Sequence, residues 1–201
     1  MNSSAAPELI LIGGGGHCAA CIDVIEAAGQ FRIAGIIDSN PQLRQVCGYP
    51  VLGNDSLLGA LRNQISHAFV TLGQLRDVSL RMRLTELILT HNYQIPTLIS
   101  PRAYVSRHAT IHAGTIVMHD ALVNARAIVG SHCIINSKAL IEHDAIIDDF
   151  CHISTAAVIN GGTHIHRGTF FGSNAVSKEM AVSIKNDFIK AGSIFTGLKN
   201  D

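Results

Sequence analysis

Stepping by six from Val105 meets Val105, Ile111, Val117, Val123, Val129, Ile135, Ile141, Ile147, Ile153, Ile159, Ile165 and Phe171, eleven Val or Ile and one Phe. Two residues earlier, a second register from Ala103 to Ala175 holds only Ala, Thr and Cys at thirteen successive steps. An α-helix repeats its apolar stripe at about 3.6 residues and an ordinary strand at about two, so neither explains a fixed large–small pair every six. A hexapeptide period is the signature of a parallel β-helix. The β-branched side chain fills the interior and the small one lets the chain turn a tight corner. Like positions then stack from coil to coil at about 4.8 Å. A sandwich of alternating strands would need Gly or Pro turns every 8–12 residues or so, yet no proline follows Pro101. Ser177 and Ser183 interrupt the aliphatic register before Ile189 and Phe195 restore it, which predicts an irregular last coil.

The repeat occupies only the second half of the 201 residues, a length that makes one large domain or two small ones at roughly 100–200 residues each. Fifteen Lys+Arg balance fifteen Asp+Glu, so the chain lacks the basic surplus with which a nucleic-acid binder neutralises phosphates. A hydrophobic content of 47% against 15% charged residues excludes a disordered chain. The purely apolar runs reach four or five residues, far short of the roughly 20 that span a bilayer. No basic segment leading into an apolar stretch opens the chain, so a cytoplasmic protein with no secretory signal and no membrane insertion is expected. Five scattered cysteines, an odd number, suit a reducing compartment.

The first half reads as a small α/β domain. ELILI (8–12) is a buried strand running into Gly13-Gly14-Gly15-Gly16-His17, and a helix pattern follows up to Gly29 as its C-cap. RIAGIID (32–38) is a second strand ending on Asp38. SLLGALRN (56–63) reads as a helix, HAFVTLG (67–73) as a strand, Val78 to His91 as a helix with Asp77 as N-cap, and QIPTLI (94–99) as a closing strand. Strand, glycine loop, helix, strand and acid is the arrangement that places phosphates at a helix N-terminus. The loop fits the dinucleotide pattern G-x-G-x-x-G poorly, since Cys18 takes the third glycine's place. A mononucleotide or nucleotide-sugar site, with the His17 ring reaching a ligand oxygen, is favoured over a dinucleotide site and over glycines that merely permit the turn.

A short glycine-loop α/β domain followed directly by hexapeptide repeats resembles the hexapeptide-repeat sugar acetyltransferases of the NeuD or PglD type. The most specific stretch runs from Asn136 through Glu142-His143-Asp144 to His152-Ile153-Ser154. The resemblance implies a Rossmann-like nucleotide-sugar-binding domain over 1–98 and a left-handed β-helix acetyltransferase domain over 99–201, with three hexads to a triangular eighteen-residue coil. It implies a homotrimer with intersubunit active sites, acetyl-CoA as co-substrate, and a nucleotide-activated amino sugar as acceptor. N-acetylation of a 4-amino-4,6-dideoxy sugar is favoured over O-acetylation of a sialic-acid-type sugar; a non-catalytic scaffold stands as a further alternative. His143 matches the general base, and Asp144 the acid that raises its basicity. His152, Gly161 and Ala191 match acetyl-CoA contacts, and Asn136 and Glu142 match residues lining the acceptor site. Gly15, Gly16 and His17 match the diphosphate loop, Asp38 and Ser39 the base and ribose contacts, and Gly73 the glycine after the later strand. The family's terminal G-x-P-A-K segment has no counterpart before Asp201, which leaves Lys185, Lys190 or Lys199 for the coenzyme phosphates.

Direct transfer is implied, because Cys133 and Cys151 fall at inward small positions and cannot carry an acyl group. On the triangular coil, His143 lies two residues after the inward Ile141, at or near a corner and pointing out. His152 lies half a coil further on, so the two rings are separated by the body of one prism, and a site using both lies between subunits. Eleven histidines invite a zinc reading, but His108, His112, His119, His132, His164 and His166 fall mostly at outward positions without complementary ligand spacings, and no metal is expected. Cys18-x-x-Cys21 reads as two small residues packing a helix on a sheet rather than a redox pair.

Overall fold

The structure is a computed structural model and describes residues 6–197. The chain forms two compact units, one of Met1–Gly73 with Ser79–Pro96, the other of Gln74–Val78 with Thr97–Asp201.

The first unit is built on a sheet of β1 (Glu8–Ile12), β2 (Arg32–Ile37), β3 (Gln45–Val46), β4 (Tyr49–Gly53) and β5 (His67–Val70) in the order β3-β4-β2-β1-β5. β1 is an interior strand parallel to both β2 and β5, and its residues Leu9 to Ile12 are buried. Helix α1 (Gly16–Ala28) follows the glycine loop and ends on Gly29, whose φ of 63° lets its amide bond the Ile25 carbonyl. The β3–β4 hairpin escapes the sequence reading. Its two-residue turn puts Cys47 and Gly48 at φ 48° and 85°, the doubly left-handed geometry that matches strand twist, but Cys-Gly is a faint signal for it. The helix expected over 56–63 is a 3₁₀ turn (Asp55–Leu57), capped by the Asn54 side chain, and then α2 (Leu58–Leu61). Helix α3 spans Ser79–Thr90. The strand expected over 94–99 divides: Gln94 bridges His67, whereas Leu98–Ile99 pairs with Ile116–Val117.

The second unit is a left-handed parallel β-helix. Two-residue strands stack into three sheets of six, six and four strands among the described residues. The first face runs from Leu98–Ile99 to Phe188–Ile189, the second from Tyr104–Val105 to Ile194–Phe195, and the third from Thr110–Ile111 to His164–Ile165. Each strand bonds the one eighteen residues on, as in Leu122↔Leu140 and Ile128↔Ile146. Every residue of the large register from Val117 to Phe171 is buried, with Ala121 to Ala175 stacked beside them.

The corners differ from the sequence reading. The residue just before each small position, and not the small residue itself, takes the left-handed conformation: Asp120, Arg126, His132, Lys138, Asp144, Phe150, Ala156, Asn174, Met180 and Asn186 all lie at φ 54–61°. The small residue follows inward, where a larger side chain would collide with its neighbours in the stack. The last coils are irregular, as the serines predict. Ser177 and Ser183 point inward, where their hydroxyls accept the Asn160 and His166 amides. Satisfied hydroxyls substitute for aliphatic groups without the cost of an unpaired buried polar atom, but they take amides that backbone carbonyls accept in the earlier coils. Among the described residues the third face continues only as an isolated bridge from His164 to Val182, the irregularity expected of the last coil.

Candidate active site

The corner between the second and third faces carries His143. The chain leaves Leu140–Ile141, turns through Glu142–His143–Asp144 and enters Ile146–Ile147. Because Ile141 is committed inward, His143 projects outward, with 59% of its side chain exposed. Its Nδ1–H donates to Asp144 Oδ2 at 2.7 Å; a carboxylate only accepts, so this bond leaves Nε2 as the acceptor nitrogen of the neutral ring. The same carboxylate takes a two-pronged bond from Arg126, one coil earlier, at 2.6 and 2.7 Å. Arg126 and then His143 hold Asp144 well below the usual carboxylate range.

Beside the ring lies Gly161. A Cβ there would sit 2.9 Å from His143 Cε1 and 3.1 Å from Nε2, so glycine at this position keeps one face of the imidazole open. These residues line a cleft of about 830 Å³ with Glu142, Asn160 and Met180. Glu142 accepts bonds from the Asn124 side chain and from the His143 amide, which fixes its carboxylate at the rim.

His152 and Asn136 lie elsewhere, on the first face, which is the one opposite the His143 corner in a three-sided prism. His152 is buried; its Nδ1–H donates to the Gln74 carbonyl at 2.8 Å and its Nε2 pairs with the Asn136 side-chain amide at 3.1 Å. Ala191 is exposed on the last coil, where the chain passes so close to Gly172 that any Cβ there would overlap the Ala191 amide. Lys185 and Lys190 are exposed, and Lys199 lies outside the described residues.

In the first unit the glycine loop forms a cradle. Gly15 is the N-cap of α1 without a side-chain cap, and a Cβ on Gly15 or Gly16 would meet no atom within 4 Å, so the loop is uncrowded at these two positions. The Asp38 carboxylate holds the loop, accepting the Gly14 amide at 2.6 Å and the Asn40 amide at 2.7 Å. Gly13, Asp38, Ser39, Asp55 and Arg83 border a cavity of about 130 Å³ beside it; Asp55 and Arg83 had no motif to mark them. Gly73 faces His17, whose Cβ lies 3.5 Å from where a Gly73 Cβ would be. Burial, reinforced by the Arg81 guanidinium, pushes His17 down to about 4. Since an unfolded histidine titrates near 6.5, the folded chain binds fewer protons than the unfolded one between these values. Stability is therefore expected to fall as pH drops from about 6.5 to about 4 and to lose nothing more from His17 below that. Urea midpoints measured across that window should fall less steeply in His17→Asn.

Among the remaining histidines, His164 and His166 converge on Asp148 from the next coil, at 2.9 and 3.0 Å. Burial alone would raise Asp148, but these two bonds bring it below the ordinary carboxylate range. The grouping spans adjacent coils and so has no local sequence spacing. Cys18 and Cys21 are buried free thiols that burial pushes upward, as expected of packing residues. Cys133 and Cys151 are likewise buried and unreactive in placement, bonded to the Asp148 and His166 carbonyls.

A glycine-loop α/β unit followed by a hexapeptide β-helix with an acid-backed histidine on one edge defines a class of transferase. The family model for the PglD N-terminal domain matches residues 8–87. PerB from Caulobacter crescentus, solved in complex with CoA and GDP-perosamine, superposes with a TM-score of 0.89 at 30% identity, over 96% of this chain and 90% of that one. The acetyltransferase domain of PglB from Neisseria gonorrhoeae, also solved with acetyl coenzyme A, gives 0.86 at 29% identity over 94% and 91%. Among curated proteins none matches the sequence. The chain belongs to the hexapeptide-repeat sugar acetyltransferases of the PglD type. No helix among the described residues is long and apolar enough to cross a membrane.

Proposed function

We propose that the protein is an acetyl-CoA-dependent sugar N-acetyltransferase, acting in the cytoplasm on the 4-amino group of a nucleotide-linked 4-amino-4,6-dideoxy sugar. The observation that carries the reading is the His143 ring, backed by Asp144 at 2.7 Å and set beside Gly161 in an open cleft. The neutral amine attacks the thioester carbonyl, and His143 Nε2 takes the proton that the nitrogen sheds. The carbon–sulfur bond then breaks, the departing sulfur takes that proton back, and amide and free CoA leave with the imidazole neutral again. No acyl-enzyme forms, consistent with the burial of Cys133 and Cys151. The glycine loop at Gly15, Gly16 and His17 with Asp38, Ser39 and Gly73 holds the nucleotide, while Asn136 and Glu142 orient the sugar. PerB, which binds CoA and GDP-perosamine, supports both ligands at the level of class.

Three subunits complete the site. His143 and the pair His152–Asn136 occupy opposite sides of one prism, so a single acetyl group meets both only across a subunit boundary. An outward apolar row on the second face, Tyr104, Leu122, Leu140, Val158, Val176 and Ile194, runs beside the His143 corner. Tyr104 and Ile194 are 59% and 74% exposed, and such a patch favours burial against sister copies. His152, Gly161 and Ala191 then contact the coenzyme from the two sides of the boundary.

Incubating the protein with acetyl-CoA and UDP-, GDP- and dTDP-linked amino sugars tests the reading by thiol release. One acceptor is expected to give a product that resists mild hydroxylamine, as an amide does; a labile ester would instead establish O-acetylation. No thiol release with any acceptor would leave the scaffold reading standing, and release that needs no acceptor would point to thioester hydrolysis instead of sugar acetylation.

A further inference from the structure

We infer that Arg126 is a positioning residue of the transfer reaction, the third member of a His143–Asp144–Arg126 chain that fixes the catalytic tautomer; this rests on His143 being the base. Asp144 is two-fifths exposed and sits at a corner with φ 61°. Without a second partner, its carboxylate would rotate in solvent, and either oxygen, or a water, could face the His143 ring. Arg126 removes that freedom. Its Nε bonds Oδ1 at 2.6 Å and its Nη2 bonds Oδ2 at 2.7 Å, so the guanidinium fork sets the plane of the carboxylate. In that plane Oδ2 takes the His143 Nδ1–H at 2.7 Å. The proton is therefore kept on Nδ1, and Nε2 is presented to the Gly161 side of the cleft.

Stability does not explain the pair. Both partners are substantially solvated, and an ion pair of that kind contributes little to folding. A second fork of the same build provides an internal comparison. Arg102 bonds Asp120 at 3.2 and 2.8 Å, again eighteen residues apart and again at a corner. His119 precedes that aspartate as His143 precedes Asp144, yet its Nδ1 pairs with the Ser100 hydroxyl at 2.6 Å. The fork is thus a recurring way to brace a corner. At Arg126, the braced carboxylate is bonded to a histidine that borders the cleft.

Four variants test the inference in the full-length protein with acetyl-CoA and the acceptor found above. In Arg126→Ala, kcat is expected to fall about ten- to hundredfold with both KM values little changed, the order of loss that misplacing a reacting group produces. Arg126→Lys keeps the charge without the fork and should recover only part of that loss. Arg102→Ala removes a fork of equal geometry and should leave kcat unchanged. Nitrogen-15 spectra of the His143 ring should show the Nδ1–H tautomer in the wild type and a mixture in both Arg126 variants. A kcat for Arg126→Ala close to wild type, with His143→Ala slowed by about two orders of magnitude or more, overturns the positioning role and leaves the base in place. A His143→Ala that turns over at the wild-type rate overturns the base reading itself. Should Arg126→Ala fail to fold, Arg126→Lys decides: an unaltered tautomer and kcat overturn the inference.

Discussion

Replacing His143 with alanine is expected to lower kcat by about two to four orders of magnitude, the contribution a positioned general base makes. The proton on the attacking nitrogen must leave as the bond to the acetyl carbon forms, and water in the cleft is a poorer acceptor than an imidazole with its tautomer fixed. Activity should not vanish. Holding amine and thioester together supplies up to roughly 7–11 kcal/mol of the barrier without any base, and nothing in that grip depends on the His143 ring. For the same reason KM for both substrates should move little, since the loss falls on the transition state alone. The ring is 59% exposed and packs against no core residue, so the variant should melt and assemble as the wild type does. Added imidazole should restore part of the lost rate by entering the space beside Gly161. Steady-state thiol release with and without imidazole, alongside light scattering, measures all of this. A variant that turned over at the wild-type rate would move the base elsewhere.

The prism was legible because its interior imposes the same demand every six residues. Ile141, Ile147 and Ile153 must each fill one layer, and Ala145 and Cys151 must each leave room beside them, so the pattern survives any change on the outside. His143 was placed by that frame: once Ile141 is inward, the corner follows. Arg126 was not legible, because its partner is eighteen residues away and contact between them depends on coil stacking that no local spacing records. The same holds for Asp148 with His164 and His166. Corner conformations were hidden for a different reason. A left-handed φ at Lys138, Phe150 or Met180 goes against local preference, and only the stacked strands on either side enforce it. In the first unit, β1 and α1 announced themselves through a buried apolar run and a glycine cap. The Cys47–Gly48 turn depends on pairing between β3 and β4, and its residues carry little turn preference of their own.

Phe171→Ala is expected to be the most destabilising single truncation in the β-helix. Phe171 is fully buried, the largest such side chain, and it takes the position that Ile153 and Ile189 hold in the coils on either side. Its ring also meets Phe195 edge-on at 5.8 Å, which carries the core into the last coil. Removing it deletes the transfer energy of the ring and leaves a cavity that hydrogen-bonded coils cannot close, at a cost of about 3–5 kcal/mol. In a stacked repeat each coil is stabilised chiefly by its neighbours, so the damage should be local. Amides from Val176 to Phe195 should lose hydrogen-exchange protection, while those from Val117 to Ile141 keep theirs. At a fixed protomer concentration the melting temperature should fall by about 6–20 °C, given roughly 2–4 °C per kcal/mol for a chain of this size. Phe171→Leu, which refills most of the space, should recover more than half of that loss. If the alanine variant instead lost less than about 1 kcal/mol, an amount typical of a surface change, the ring at 171 would not be filling the layer between Ile153 and Ile189. The hexad frame that sets the His143 corner would then be out of step in its C-terminal coils.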